Sequence, residues 1–421
     1  MFGATDSQQN WGDLARRASP PPAFRLGQPN ERGITTDQAH QRGQQALAAG
    51  QVGVILVAGG QGTRLGSDQP KGMFPVGPVS GASLFQILIE KIIARSRMAG
   101  MRIPLYLMTS PATHRETLSY LRANENFGLA QEDLKEFCQG TMPAVDCRAG
   151  RLLLSAKHEL ALSPDGHGGM LRALAGSGCL ADIRLRGVRQ LFYCQVDNPL
   201  VQMCDPVFLG YHLLAGSELS TQVVAKRTSR DNVGNVVSID GKLRIIEYSD
   251  LNPMGDQIVE RRTADGTSVF WAGNTAIHVF DTALVERMAH SDAALPFHVA
   301  RKAVAHVDAS GKQVEPAEPN AVKFERFIFD LLPAARQAIV VEVDEAKSFA
   351  PLKNAPGESR DTPESVKTQM SRLHTGWLQA AGCEVALDAT IEISPLFAQS
   401  ADEVAARIRP GLVVTGARYF C

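Results

Sequence analysis

The sequence predicts an α/β protein with a doubly wound, mixed sheet. Three observations support this class: short apolar runs of strand length recur, amphipathic helical segments alternate with them, and a glycine-rich loop follows the first apolar run. Parallel strands that are covered by helices on both faces are apolar throughout, whereas half-exposed strands alternate. The pattern therefore favours a Rossmann-like sheet, and α/β proteins of this kind bind ligands at the carboxyl edge of the sheet.

Length and charge limit what the protein can do. The chain has 421 residues, of which 44% are hydrophobic, and this is enough for two or three domains at roughly 100–200 residues each. Its formal charge of −1 gives no long-range attraction for nucleic acid or an anionic membrane. No apolar run approaches the ~18 residues that a membrane helix needs. We therefore expect neither nucleic acid nor a membrane as a partner.

The N-terminus and the cysteines indicate a cytoplasmic protein. Residues 1–17, MFGATDSQQNWGDLARR, show no charged region followed by an apolar one, so no signal peptide is expected. The seven cysteines are odd in number and lack C-x-x-C spacing, which is typical of reduced thiols. A structural zinc site is accordingly not expected.

Residues 1–48 are polar and are predicted to form a helical segment that leads into the catalytic core. Within it, TTDQAHQRGQQALAAG reads as a helix that Thr36 caps and Gly50 ends. The run VGVILVA, residues 52–58, is the first buried strand. SLFQILIEKIIARSRMAG follows as an amphipathic helix, with Ser83 and Gln86 as a capping box and Gly100 as its end.

The rest of the chain continues this alternation. IPLYLMTS and QLFYCQVDNPL read as buried strands, and NVVSIDGKLRIIEYSD as a β-hairpin that turns at Asp240-Gly241. We expect this hairpin to form a wall of the substrate site. One more helix, around SVKTQMSRLHTGWLQAAG, precedes a short tail. The predicted boundaries are 49–337 for the catalytic domain with its substrate subdomain and 338–421 for a C-terminal segment.

The loop AGGQGTRLG carries the strongest chemical signal. Gly60, Gly62 and Gly66 give G-x-G-x-x-x-G after a strand, a pattern that dinucleotide-binding loops share. The next strand ends in LMTS without the acidic residue that would hold a ribose, and no Walker G-K-[ST] is present. Arg64 and Lys71 instead suit a triphosphate. The guanidinium group of Arg64 is a planar fork that can bind two phosphate oxygens, and the ammonium group of Lys71 is a point charge. An NADP-dependent dehydrogenase and a non-catalytic nucleotide-sugar binder remain as alternatives.

Asp197 ends the strand LFYCQVD, at the predicted carboxyl edge of the sheet. A carboxylate in this position suits Mg²⁺, which takes one or two carboxylates together with substrate phosphates and water. An aspartate before Asn-Pro also commonly caps a turn, and the residues alone favour neither role.

The segment LVAGGQGTRLGSDQPKG resembles the signature L-x-x-G-G-x-G-T-R-L-G-x-x-x-P-K of the eukaryotic-type UDP-sugar pyrophosphorylases. More narrowly, it resembles their UDP-N-acetylglucosamine branch. The resemblance extends from about residue 50 to 395, through SPDGHGGMLRAL, YCQVDNPLVQMCDPVFLG, IIEYSDL, WAGNTAIHVF, PNAVKFERFIFD and FAPLKN. It implies a nucleotidyltransferase core similar to the GT-A fold. It also implies a UTP:N-acetylhexosamine-1-phosphate uridylyltransferase, which forms UDP-N-acetylglucosamine and pyrophosphate from UTP and N-acetylglucosamine-1-phosphate.

The resemblance also implies a role for each matching position. Three cations would neutralise the phosphates: Arg64, Lys71 and Lys353. The metal, Mg²⁺ or Mn²⁺, would lie at Asp197. The nucleotide would be bound by Gly59, Gly60, Gln61, Gly62, Thr63, His167 and Gly168. The sugar would be bound by Asn198, Glu247 and Asn274, with an apolar wall for the acetyl methyl group at Phe327 and Phe329.

One position departs from the family's pattern. His167 stands in G-H-G-G, whereas the N-acetylhexosamine branch usually has G-N-G-G and the glucose branch G-H-G-D. A UDP-glucose or broad-specificity UDP-sugar pyrophosphorylase is therefore the alternative prediction. The oligomeric state is left open, with a monomer as one option.

Overall fold

The computed structural model describes residues 11–291 and 295–421, in which strands and helices alternate along most of the chain. The strands, in chain order, are β1 (Ala23–Phe24), β2 (Val52–Val57), β3 (Leu105–Thr109), β4 (Leu134–Cys138), β5 (Thr141–Pro143), β6 (Val145–Asp146), β7 (Leu154–Ala156), β8 (Glu159–Leu160), β9 (Leu162–Pro164), β10 (Gln190–Gln195), β11 (Leu219–Ala225), β12 (Asn235–Ile239), β13 (Lys242–Ile246), β14 (Ala272–Asp281), β15 (His298–Lys302), β16 (His306–Val307), β17 (Gln313–Val314), β18 (Ala321–Glu325), β19 (Ala338–Glu342), β20 (Glu384–Val385), β21 (Thr390–Ile393), β22 (Val413–Val414) and β23 (Ala417–Phe420).

Helices cover both faces of the sheet that these strands build. The α-helices are α1 (Trp11–Arg17), α2 (Thr36–Ala48), α3 (Leu84–Ala99), α4 (His114–Ala123), α5 (Met170–Gly176), α6 (Cys179–Leu185), α7 (Pro206–Leu214), α8 (Tyr248–Leu251), α9 (Asp256–Val259), α10 (Thr282–Ala289), α11 (Glu345–Ser348), α12 (Pro363–Ala380) and α13 (Ala401–Ala405). The 3₁₀ helices are Thr63–Leu65, Lys71–Met73, Glu125–Gly128, Gln131–Asp133, Asn252–Met254, His167–Gly169 and Ile328–Ala334.

The central sheet has the strand order β1-β19-β11-β14-β10-β2-β3-β4, and the β12–β13 hairpin is joined to it through β14. All neighbours along this order are parallel except β14, which runs antiparallel to both β10 and β11. The predicted doubly wound, mixed sheet is therefore confirmed. The hairpin is also present, and both turn residues, Asp240 (φ 51) and Gly241 (φ 75), have the positive φ that a tight hairpin turn needs.

The two faces of the sheet explain why its strands are apolar throughout. In β2, Val54 and Leu56 belong to the hydrophobic cluster on one face, whereas Ile55 belongs to the cluster on the other face. All three side chains are fully buried. Successive side chains of a strand point to opposite faces, so a strand between two cores has no position for a polar residue.

Two predicted helix starts differ slightly from the structure. Thr35 caps α2, with a reciprocal bond to Gln38, and Thr36 is the first helical residue. Ser83 caps α3 by accepting from the Gln86 amide, but the Gln86 side chain bonds Glu90 instead of completing a capping box. Gly100 ends α3 in the left-handed conformation, as predicted.

The N-terminal segment is tied to the core by close helix packing. Helices α2 and α7 cross so closely that a Cβ on Gly43 would lie 1.9 Å from the carbonyl oxygen of Pro206, and one on Gly210 would lie 1.7 Å from that of Ala39. Only glycine fits at these two crossing points. Strand β1 also pairs with β19 at the sheet edge. Residues 1–10 of the predicted 1–48 segment lie outside the described residues.

The C-terminal segment has its own small core and also contributes to the sheet. Its hydrophobic cluster includes Leu378, Ile391 and Val404. Strand β19 lies within the central sheet beside β11, so the sheet extends past the predicted boundary at residue 337. No helix in the described residues combines the length and the apolar character that crossing a membrane requires.

Candidate active site

The glycine loop after β2 closes on itself. The Lys71 amide donates to the carbonyl of Gly60 (3.1 Å), and the Gly62 amide donates to that of Gln69 (2.9 Å). In the described part of the chain, the amides of Gly60 and Gln61 have no acceptor. Successive unpaired amides in a tight loop form a concave site for an anion, so the backbone here is suited to phosphate.

The loop differs from a dinucleotide-binding loop on its C-terminal side. The chain makes two 3₁₀ turns, which carry Thr63, Arg64 and Lys71, and the α-helix begins only at Leu84. A dinucleotide loop instead leads directly into a helix whose N-terminus meets the pyrophosphate. The end of β3 meets the loop through Ser110, whose hydroxyl donates to the Gly59 carbonyl (2.7 Å). This hydroxyl thus holds the loop rather than a ribose.

Two segments that are distant in sequence meet at Lys71. Its Nζ lies 3.4 Å from Asp197 Oδ2 and donates to the carbonyl of Leu352 at 3.0 Å. The Leu352 amide in turn donates to the carbonyl of Asp197 (2.8 Å). The side chains of Lys71 and Asp197 are 18% and 16% exposed, so both groups remain accessible to a ligand. The structure thus brings the predicted lysine and the predicted metal ligand together.

The other two predicted cations, Arg64 and Lys353, differ in their surroundings. Arg64 is exposed and has no hydrogen-bond or ion-pair partner among the residues that the structure describes. Lys353 follows Leu352 directly. Its amide donates to the carbonyl of Asp361 (2.8 Å), and its Nζ lies 5.9 Å from the centre of the Phe349 ring.

The segment 166–169, GHGG, places His167 against the segment that follows β18. Its Nδ1 accepts the backbone N–H of Ile328 (3.1 Å), and burial together with the nearby His298 lowers its pKa to about 4. The imidazole is therefore neutral at physiological pH and carries its proton on Nε2, which leaves that atom as a donor. Gly168 is required here, since a Cβ would lie 2.7 Å from the carbonyl carbon of Arg326.

Four rings, with His167 at one end, form a column. Trp11 packs on His298 at 5.8 Å, His298 on Phe327 at 4.3 Å, and Phe327 on His167 at 5.1 Å with an interplanar angle of 17°. Phe329, which is 5% exposed, packs against Phe327 with 5.1 Å between the ring centres. Of the two residues predicted to form an apolar wall, Phe327 is partly buried and Phe329 is buried.

This ring column borders a cavity of ≈ 410 Å³ that Glu247 also lines. His298 is fixed there, because its Nε2 donates to Asp330 Oδ2 at 2.7 Å. Burial raises the pKa of Glu247 to about 7, and the charge of Asp250 adds to the rise while that of Lys353 opposes it. The cavity therefore combines an aromatic wall with a carboxyl group that exchanges its proton near neutral pH.

The two predicted asparagines differ in their bonds. Asn198 is buried, and its amide bonds to main chain: Nδ2 donates to the carbonyl of Ser348 (2.8 Å), and Oδ1 accepts from Leu200 and Ala350 (3.1 and 3.0 Å). In Asn274, Oδ1 accepts from the Ala276 amide (3.1 Å), but Nδ2 has no partner in the described part of the chain. Asn274 therefore keeps a free donor, whereas Asn198 serves the fold. A sugar contact by Asn198 stays a prediction.

Sequence reasoning missed three residues of this region: Trp11, His298 and Asp330. They enter the site through the N-terminal helix, through β15 and through a 3₁₀ helix. The segment LPFHVA does contain a histidine among apolar residues, which could have marked His298. Nothing in the sequence around Trp11 signals its place. Among the described residues, no group of three or more His, Cys, Asp or Glu side chains could hold a metal by itself.

The fold and the site together define a class. The sheet is mixed, and β2 and β10 are neighbours within it. The glycine loop with its cations follows β2, and it meets the carboxylate of Asp197, which follows β10. This is a nucleotidyltransferase architecture. The chain belongs to the UTP–glucose-1-phosphate uridylyltransferase family, whose model matches residues 20–358.

Individual members of this family show the same similarity. The chain is 38% identical over 359 residues to the UDP-N-acetylglucosamine pyrophosphorylase of Saccharomyces cerevisiae, which covers 84% of this chain and 75% of that protein. It is 36% identical over 377 residues to the UDP-N-acetylhexosamine pyrophosphorylase-like protein 1 of Xenopus tropicalis, covering 88% and 73%. The crystal structure of the UDP-N-acetylglucosamine pyrophosphorylase of Trypanosoma brucei, in complex with an inhibitor, superposes with a TM-score of 0.81 at 25% identity, over 97% of this chain and 89% of that one.

Proposed function

We propose that this protein transfers the uridylyl group of UTP to N-acetylglucosamine-1-phosphate, giving UDP-N-acetylglucosamine and pyrophosphate reversibly. The observation that carries the proposal is the convergence of Lys71, Asp197 and the segment before Lys353 at one edge of the sheet. The relatives from yeast and Trypanosoma brucei, which are named for this activity, support the choice of substrates.

The proposed step needs positioning and charge neutralisation. An oxygen of the sugar phosphate forms a bond to the α-phosphorus of UTP, the bond from that phosphorus to the bridging oxygen breaks, and pyrophosphate leaves with the electron pair. The attacking oxygen is already an anion, so no proton has to be removed. Two unit charges about 4 Å apart repel by roughly 4 kcal/mol at an effective dielectric near 20. Arg64, Lys71 and Lys353 would offset this repulsion between the two substrates.

We further propose that Asp197 is the protein's ligand for Mg²⁺ or Mn²⁺. Its carboxylate is partly exposed beside Lys71, and a single carboxylate is enough for a metal that is otherwise held by substrate phosphates and water. Such a metal would supply positive charge at the α-phosphate. Lys71 keeps this carboxylate oriented through its ion pair.

We propose the remaining contacts at the positions that the resemblance to the family implies. The unpaired amides of Gly60 and Gln61 would bind phosphate, with Gly59, Gly62 and Thr63 shaping the loop. The Nε2–H of His167 would donate to the uridine, beside Gly168. For the sugar we propose hydrogen bonds from Glu247 and Asn274 and the apolar wall of Phe327 and Phe329, while Asn198 holds the main chain beside them.

The cysteines support a cytoplasmic location, which we include in the proposal. All seven are free thiols, and four of them are buried. Free thiols in this number are typical of a reducing compartment. Separation of the cell compartments followed by immunodetection tests this location.

The deciding experiment measures pyrophosphate release with UTP and Mg²⁺. N-acetylglucosamine-, N-acetylgalactosamine- and glucose-1-phosphate are compared at equal concentration. The proposal expects a strong preference for the N-acetylated sugars. A preference for glucose-1-phosphate would favour the alternative, a UDP-glucose or broad-specificity enzyme, and would trace the difference to His167. Release with none of the three, from folded protein that binds UTP, would overturn the proposed function.

A further inference from the structure

Lys91 lies in the middle of α3, away from the glycine loop, and its ammonium group points into the protein. Its Nζ donates to the carbonyls of Pro199 (2.6 Å) and Val201 (2.9 Å). No carboxylate in the described residues forms an ion pair with it, and burial lowers its pKa to about 7. A lysine whose donors go to two main-chain carbonyls fixes the position of that main chain, because each carbonyl would otherwise be left without its donor.

The two carbonyls belong to the turn that directly follows Asp197 and Asn198. From this turn, Asn198 bonds to the carbonyl of Ser348 and the amide of Ala350, and the Asp197 carbonyl accepts from Leu352. This series of hydrogen bonds, joined by the main chain of residues 197–201, links α3 to the segment that ends at Lys353. We call this series the α3 brace.

The helix that anchors the brace is rigid. Its side chains Leu84, Leu88 and Ile92 are fully buried in the main hydrophobic cluster. One turn after Lys91, Arg95 donates from Nε to the carbonyl of Met203 (3.2 Å), so a second cation of α3 holds the same stretch of chain. A loop that is hydrogen-bonded at two points to a buried helix is held in a fixed position by that helix.

We propose that Lys91 is a positioning residue for the transfer reaction, which sets the geometry of Asp197 and Lys353 through the α3 brace. The proposal rests on the proposed function for its kinetic part only. Lys91 bonds to main chain alone, so its effect on turnover is indirect. Displacing a reacting group by about 1 Å can reduce the rate of such a reaction by about 100-fold. In this proposal the α3 brace prevents a shift of this size in Asp197 and Lys353.

The test compares Lys91→Met, Lys91→Arg and the control Arg97→Met. Methionine is unbranched like lysine and one atom shorter, and it removes the donors, whereas arginine can donate to both carbonyls. Arg97 is an exposed cation six positions further along the same helix, so its loss tests general damage to α3. Each variant is measured for kcat, for KM of both substrates, for thermal midpoint and for amide hydrogen exchange in residues 197–201 and 348–353.

The expected result for Lys91→Met is a fall in kcat of about 100-fold with little change in the KM for UTP, and faster exchange in both segments. Lys91→Arg should recover most of the turnover, and Arg97→Met should resemble the unchanged protein. Unaltered exchange in 197–201 and 348–353 would overturn the proposal, as would a loss of activity that only follows the unfolded fraction. Exchange needs no substrate, so the brace is tested even if no sugar phosphate supports pyrophosphate release.

Discussion

Lys71 Nζ lies 3.4 Å from Asp197 Oδ2, although 126 positions separate the two residues in the chain. Their closeness follows from the sheet: β2 and β10 are parallel neighbours, so the segments that leave their carboxyl ends meet at the same edge. The carboxylate holds the ammonium group at the place where the proposed phosphates would bind. Because water already reaches both groups, Lys71 can exchange Asp197 for a phosphate at a small cost in free energy.

Removal of either loop cation should abolish most of the turnover without unfolding the protein. For Lys71→Ala and Arg64→Ala we expect a loss of at least about 100-fold in kcat, because each removes charge that stabilises the phosphates in the transition state. Steady-state kinetics and circular dichroism check this. Lys157→Ala, at an exposed lysine in the β7–β8 turn, is the control. Near-normal turnover in either loop variant would contradict the assignment of that residue.

Both phenylalanines should affect sugar selectivity, and Phe329 should affect stability as well. Phe327 borders the cavity, so Phe327→Ala should reduce kcat/KM for N-acetylglucosamine-1-phosphate by roughly 10-fold or more relative to glucose-1-phosphate. Phe329→Ala should reduce the same selectivity and also lower the free energy of unfolding by about 3–5 kcal/mol, because this ring is buried. Equal losses with both sugars would remove the acetyl-wall role. Urea unfolding separates the two effects.

Glu247 should make stability depend on pH between its two pKa values. Burial raises its pKa from the ordinary 4.5 to about 7, so over this range the folded protein keeps a proton that the unfolded chain has lost. Stability therefore falls as the pH rises from about 4.5 to about 7, since the folded state must then ionise a buried group. Glu247→Gln removes this effect. The thermal midpoint of the variant relative to the native protein should rise across the window and level off above it, whereas parallel profiles would show that Glu247 ionises normally.

Glu392 should stabilise the contact between the C-terminal segment and the core more than other residues of that segment do. Its carboxylate is buried and accepts from the Val79 amide (2.7 Å), the Ser80 amide (2.6 Å) and the Ser80 hydroxyl (2.6 Å). Glu392→Ala leaves these donors unpaired, so we expect the free energy of unfolding to fall by ~3 kcal/mol. Glu384→Ala, at an exposed position of the same segment, should change it little. A similar loss in both variants would indicate that the bonds to 79–80 contribute nothing special.

Much of the fold could be predicted because its signals are local. The apolar run of β2, the glycines of the loop, the Asp240-Gly241 turn and the end of α3 at Gly100 each depend on neighbours in sequence. The antiparallel insertion of β14 between β10 and β11 could not be predicted, since strand pairing depends on residues far apart in the chain. The end of β10 was also missed: the strand stops at Gln195, so Asp197 lies in the following turn.

The meeting of Lys71 and Asp197 could be predicted because their residue types indicate their chemistry. Lys71 lies in a glycine-rich loop and Asp197 shortly after a strand, and the structure places the two side chains together. The roles of these residues and of Arg64 stay predictions. Asn198 shows the limit of this reasoning. An amide has the same chemistry whether it faces a sugar or its own main chain. Residue type therefore did not show that Asn198 bonds to Ser348 and Ala350, and its sugar contact stays a prediction. Lys91, Trp11 and His298 likewise gain their significance from tertiary neighbours.

The bond from Lys71 to the carbonyl of Leu352 has a consequence for synthesis of the protein on the ribosome. It spans 281 positions of the chain. At about 5–20 residues per second, the glycine loop is made roughly 14–56 s before its partner. During this interval the nascent chain carries the glycine loop but neither the carbonyl that accepts from its lysine nor Lys353, the next residue to be added. Under the proposed function, the growing chain could hold a nucleotide well before it could turn one over.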